Sequence, residues 1–202
     1  GDRLEGLYDD VPGQYYGIYF NQAKASSIEY AIIKNGISGI HMYSSGVDPS
    51  NYALSIKNTK IFNHASYGMF LYDEASVKGE NLMVSRNGFH SLLVLKGAKF
   101  NFNHCNFLGY GSAQSPAIGI KNHFNDPNQT STISEGVIYN SIIGGSLETE
   151  IILDTIVDFP GQLSFDIQHC FIQAEEVYND PFYQNNIWRI ELDNAFDPLF
   201  NS

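Results

Sequence analysis

The residues able to do acid–base chemistry recur at one position of a repeated phrase. That position reads Glu29, Lys57, Glu80, Asn103, Tyr139 and Asp166. Glu29, Lys57 and Glu80 would open a polyuronate lyase site. Such a site sets a Lys or Arg base beside carboxylates, whose bound cation stabilises charge developing at the abstracted carbon. The same three residues also make an alternating-charge ladder between stacked strands, worth roughly a few tenths of a kcal/mol per pair. The arginines Arg3, Arg86 and Arg189 fall at unrelated positions, so the ladder is the reading we carry. A glycosidase instead needs two carboxyls about 5 to 9.5 Å apart across the scissile bond. Asp73 with Glu74, Glu148 with Glu150, and Glu175 with Glu176 are the nearby pairs, and acidic residues in turns are mostly solvated. His41, His64 and His90 sit at different repeat positions with no short ligand spacing, and His104 and His169 occupy a bend. No metal, no cofactor and no catalytic residue is therefore expected.

The elements that position these groups are strands. The phrase reads "IEYAII" at Ile28–Ile33, "IKNTKI" at Ile56–Ile61, "GENLMV" at Gly79–Val84, "FNHCNF" at Phe102–Phe107, "IYNSII" at Ile138–Ile143 and "IQHCFI" at Ile167–Ile172. In its most regular part it returns about every 23 residues. Repeats of 20 to 50 residues indicate solenoids, propellers or arrays. Inward residues are first three apart, then two, so the strand must bend at the third residue: Tyr30, Asn58, Asn81, His104, Asn140, His169. Asn and His are enriched in the left-handed region that makes such a bend. A column of mostly small residues follows, then an apolar one, and each column would stack at the interstrand spacing of roughly 4.8 Å. Gly79 and Tyr30 break their columns. The reading is all-β, a right-handed single-stranded parallel β-helix of at least six coils, forming one domain over residues 1–202.

Beyond the bend, one large apolar side chain per coil should face outward: Ile32, Phe62, Met83, Leu108, Ile142 and Phe171. A contiguous exposed apolar patch marks an interaction site, and this stripe is the candidate binding surface. The alternative is that loops or an upstream domain cover it. Cys105 and Cys170 share the small inward column with Ser141 between them. Two rungs separate their Cα atoms by about 9.6 Å, beyond the roughly 7 Å limit for a disulfide, so both should be free and buried.

Composition agrees with a strand-and-turn protein: 18 glycines, 13 tyrosines, 14 phenylalanines and only 16% charged residues in 202. A net charge of −11 argues against nucleic acid and weakens any claim on polyanions. No run of 18 apolar residues reads as a membrane-spanning helix. "GIYF" at Gly17–Phe20 reads as the second strand of a coil begun upstream, "SSGVDPSN" at Ser44–Asn51 as a loop, and Gln173–Asn185 as an interruption of coil six. Neither Gly1–Arg3 nor Asn194–Ser202 reads as a solenoid cap. The chain is therefore expected to be part of a longer protein, lacking an N-terminal domain and a C-terminal coil or cap.

With these residues in view, the chain resembles the right-handed parallel β-helix repeat proteins of the pectate-lyase-like superfold. More narrowly it is similar to the poorly characterised β-helix lipoproteins of Bacteroidota-type envelopes. The phrases that carry the likeness are "GDR" at Gly1–Arg3, "VPGQYYGIYF" at Val11–Phe20, "IEYAIIKNGISGI" at Ile28–Ile40, "SYGMF" at Ser66–Phe70, "FNHCNF" at Phe102–Phe107 and "DPLF" at Asp197–Phe200. The resemblance implies an exported protein at the outer membrane or surface of a Gram-negative cell, with a lipid anchor upstream, and brings no catalytic residues. The Asn-Thr-Asp that opens the polygalacturonase signature is missing, since Asn58-Thr59 is followed by Lys60. The expected function is a non-catalytic envelope module that docks a partner protein of an outer-membrane assembly or a glycan. The alternative is a polysaccharide lyase or glycoside hydrolase on the same scaffold.

Overall fold

Residues 6–124, 129–158, 161–176 and 180–189 are described by a computed structural model. The third residue of the phrase shapes the fold. Tyr30, Asn58, Asn81, His104, Asn140 and His169 all have φ between 49° and 55°. This conformation favours glycine and, after it, Asn. Tyr30 is thus no exception to its column; its side chain simply stands in solvent, 80% exposed. Asn185, at φ 54°, marks a seventh bend.

Each bend divides a coil into two arms of one large sheet. Before the bend stack Ser26–Glu29, the front of Leu54–Phe62, the front of Ala75–Ser85, Ala98–Asn103, Ile133–Tyr139, Leu163–Gln168 and Tyr183–Gln184. After it stack Ile32–Lys34, the ends of the two long strands, Asn106–Gly109, Ile142–Gly145, Phe171–Gln173 and Ile187–Arg189. The return halves form an opposite sheet of six strands, ordered Ile18–Ala23, Ile40–Ser45, Met69–Tyr72, Leu92–Leu95, Ile118–Lys121, Ile151–Asp154. Pairing between these strands is parallel throughout. The chain is an all-β parallel solenoid of about six turns, and Ile18–Ala23 is indeed a return strand, pairing with Ile40–Ser45.

The interior is a set of columns. Ile56, Phe102, Ile138 and Ile167 share one, and Ile61, Val84, Phe107, Ile143 and Ile172 another, all fully or almost fully buried. Gly79 interrupts the first because Phe102 needs its space: a Cβ there would lie 2.4 Å from a Phe102 ring carbon. The small column is chemically active in folding. Thr59 and Ser141 donate their hydroxyls to the carbonyls of Lys57 and Tyr139, at 2.7 and 2.6 Å. Their oxygens accept the N–H groups of Ala31 and Cys105 from the preceding rung. Backbone groups displaced by the bends at Tyr30 and His104 are thereby satisfied inside the core.

Three expectations are corrected. Tyr139 pairs with Gln168, whereas Asp166 lies two residues earlier, opposite Val137. The repeat's second position in coil six is therefore Gln168, and Asp166 reaches that level only by accepting the Tyr139 hydroxyl. Coil six is not simply interrupted up to Asn185, because Tyr183–Gln184 and Ile187–Arg189 pair onto it as a further repeat. Leu108, placed outward in the stripe, is only 2% exposed. The segments Gly1–Arg3 and Asn194–Ser202 lie outside the described residues.

Candidate ligand-binding face

The charged ladder is assembled as a ladder. Glu29, Lys57 and Glu80 stand in register on successive rungs, and the Lys57 ammonium lies 2.9 Å from Glu80. The contact raises the lysine pKa and lowers that of Glu80, the opposite of what a lysine base requires. The next rung offers Asn103. The three carboxylate pairs differ in their surroundings. Asp73 is committed to Lys96 at 3.1 Å, and Glu175 and Glu176 are exposed. Glu148 is exposed while Glu150 is completely buried. The Glu150 carboxylate accepts the N–H groups of Ala117 and Leu147 at 2.6 and 2.7 Å. It fills the space that a Cβ on Gly109 or Gly145 would enter, and burial pushes its pKa upward. It therefore acts as an internal clamp on two turns. Among the described residues no group of three His, Cys, Asp or Glu could hold a metal ion.

The apolar stripe divides between two register columns. Ile32, Lys60, Met83, Asn106, Ile142 and Phe171 share one, and Phe62 lies two residues further, level with Lys34 and Ser85. Ile32 is 68% exposed, while Phe62, Met83, Ile142 and Phe171 are half-buried. Lys60 and Asn106 thus interrupt the stripe on its second and fourth rungs, while Ile142, Phe171 and Ile187 follow one another.

A more continuous surface lies on the other side of the barrel. Strict alternation along the return strands sends Ile40, Met42, Met69 and Leu71 inward. Their neighbours His41, Tyr43, Phe70 and Tyr72 face out, and Tyr19 joins from the strand before. Tyr19, His41 and Phe70 stack in one outward column, and Tyr43 and Tyr72 in the next. Ring centroids lie 4.7 Å apart for Tyr19 and His41, 5.0 Å for His41 and Phe70, and 6.0 Å for Tyr43 and Tyr72. Phe70 and Tyr72 lie side by side at 6.1 Å with planes 9° apart, and Tyr67 and Phe89 extend the array at one flank. Such cross-strand aromatic pairs stabilise a sheet by about 0.2–1 kcal/mol each, which explains their stacking but not their number.

The electrostatics of this face are quiet. His41 is 9% exposed, with Nδ1 3.2 Å from the Tyr43 hydroxyl and no hydrogen-bond partner for Nε2 among the described residues. Burial lowers its pKa, so the ring is neutral. The bordering lysines are paired, Lys96 with Asp73 and Lys121 with Asp154 at 2.6 Å, while Glu74 beyond Tyr72 is exposed without an ion pair among the described residues. Lys96 also lies 5.7 Å from the centre of the Tyr72 ring. The signal was present in the sequence as aromatics at every outward position of "IHMY" and "MFLY". Those runs read in sequence only as apolar return strands. No protein family, curated protein or solved structure matches the chain.

Proposed function

We propose that the chain is a non-catalytic binding module whose aromatic face holds a carbohydrate chain. The observation that carries this reading is the unbroken array from Tyr19 to Tyr72, in which apolar ring bodies alternate with phenolic hydroxyls and whose flanking lysines are paired with carboxylates. A sugar presents the matching surface, C–H patches bordered by hydroxyls, and Tyr is suited to such half-wet contacts. The paired border charges favour a neutral glycan over a polyanion. The resemblance to pectate-lyase-like β-helices and to envelope lipoproteins supports placing the module on the outside of a Gram-negative cell, held by an upstream lipid. Docking of a partner protein on the stripe of Ile32, Phe62, Met83, Ile142 and Phe171, with Leu108 beneath it, is the second envelope role. The exposure of Ile32 and Ile187, 68% and 62%, favours it.

The test is binding to a panel of neutral polysaccharides by affinity electrophoresis, with product ends assayed in parallel. Retardation that disappears in a Tyr43→Ala/Tyr72→Ala protein that still melts cooperatively well above the assay temperature is the expected result. Cleavage lost on replacing Glu29, Lys57 or Glu80 would reinstate the lyase or hydrolase. Retardation unaffected by the double substitution would move the site off this face.

A further inference from the structure

The aromatic columns do not end in open surface. Two residues past Tyr43 and Tyr72 lie Ser45 and Glu74, at a corner turned by left-handed residues: Ser44 at φ 50°, Asp73 at 46° and Glu74 at 67°. Around that corner lies a partly enclosed cavity of about 220 Å³, lined by Ser45, Glu74, Ser76, Lys99, Thr132 and Ser134. This is below the roughly 300–1,000 Å³ of pockets for drug-sized ligands and suits a single ring.

The polar groups of the cavity decide what that ring is. Thr132 and Ser134 are exposed, and their hydroxyls have no protein partner among the described residues. Ser45 uses an acceptor position on the Val47 N–H and keeps its own proton. Ser76 gives its proton to the Asn51 carbonyl and keeps lone pairs. The wall therefore offers both donors and acceptors. Lys99 is spent: its ammonium donates to the Pro49 carbonyl at 2.9 Å, lies 3.8 Å from Glu135 and sits 4.4 Å over the Tyr52 ring. Glu135 in turn accepts from the Tyr52 hydroxyl at 2.5 Å and from Asn101 at 2.9 Å. Glu74 forms no ion pair among the described residues. The charge in the cavity without an ion pair is thus negative, since Lys96, which feels Glu74, is bound to Asp73, and this negative balance repels a uronate.

Resting on the carbohydrate reading above, we propose that this corner cavity is a subsite for one uncharged hexopyranose of the glycan, the chain running from the Tyr43 and Tyr72 rings around the corner. A uronic acid at this position is rejected by Glu74. The cavity gives the ring face a fixed register, since a flat aromatic surface alone tolerates sliding.

The test is calorimetric titration with cellohexaose, mannohexaose, maltohexaose and hexagalacturonate. Ser134→Trp fills the cavity from an exposed position, and an unchanged melting temperature checks its fold. We expect a neutral hexaose to bind the native protein and to weaken at least tenfold on Ser134→Trp. We expect hexagalacturonate to bind at least tenfold more weakly than the neutral ligand, and Glu74→Gln to narrow that gap. Equal affinity of the native and Ser134→Trp proteins overturns the subsite while leaving the ring face standing. Hexagalacturonate binding as tightly as the neutral sugar overturns the ligand class. Failure of every hexaose to bind the native protein overturns both the subsite and the carbohydrate reading.

Discussion

The Oγ of Ser141 lies 3.0 Å from the backbone nitrogen of Cys105 and accepts its N–H from one rung away. Cys170 follows Ser141 in the same column, because Ile142 pairs with both Asn106 and Phe171. Two rungs of roughly 4.8 Å therefore separate the cysteines, and both are free and buried. Burial pushes the Cys105 thiol up to about 12 and Cys170 up to about 11. Since the thiolate is the reactive form, a thiol reagent at pH 8 should titrate neither in the folded protein and both in denaturant. A Cys105–Cys170 disulfide in the native protein would contradict the rung count.

The bend column predicts substitutions of opposite sign. Asn81 has φ 53°, so Asn81→Ile should lower stability by about 1–3 kcal/mol, the usual cost of a β-branched residue held there. Tyr30 shares the conformation but lies in solvent. Tyr30→Gly should leave stability unchanged or raise it, as measured by urea unfolding.

Gly79 and Phe102 occupy one volume between them. Gly79→Val should destabilise the protein by about 1–3 kcal/mol through overpacking. Adding Phe102→Leu should recover part of the loss, and a double-mutant cycle on melting reads the coupling. Strict additivity would show that the ring does not fill the glycine's space.

His64 gives the protein an acid-sensitive interior. It is 2% exposed, its Nδ1 accepts the Gly36 N–H at 3.1 Å, and Nε2 lies 3.2 Å from the Ile33 carbonyl. Burial holds its pKa down at about 4, against about 6.5 in the unfolded chain. The unfolded state therefore takes up the proton first. Stability from this site is complete above pH 6.5 and is lost as pH falls from 6.5 towards 4, by about 3 kcal/mol in all. Glu150 acts with the opposite slope: its raised pKa means that stability falls as pH rises from the ordinary glutamate value to the folded one. His64→Gln should flatten the acid limb of a stability–pH curve. An unchanged limb would assign it to other groups.

The fold was legible because the bend demands particular residues. Asn58, Asn81, His104, Asn140 and His169 announced left-handed turns at fixed phrase positions, and all of them adopt that conformation. Asp166 was a misplacement within the sequence itself, since "IQHCFI" at Ile167–Ile172 already puts Gln168 second, and the Tyr139–Gln168 pairing agrees with the phrase. The repeat at Tyr183–Arg189 was hidden because its first inward residue is Tyr183 and its small-column residue is Asn186. Asn186 nevertheless does the column's work by accepting the Cys170 N–H. The aromatic face was hidden differently. Alternation says which way Tyr43 and Phe70 point, but grouping them with Tyr19 and Tyr72 needs the alignment of three return strands.

The single tryptophan sits far along the stack. Trp188 packs edge-on against Tyr183 at 5.1 Å in the last described repeat, while Cys105 lies three rungs earlier in the small column. In a solenoid each repeat touches only its neighbours, so loss of structure can start at one place and spread. Tryptophan emission and thiol exposure are therefore two clocks at two heights of the same stack. A lag between them during slow denaturation would time the passage of an unravelling front.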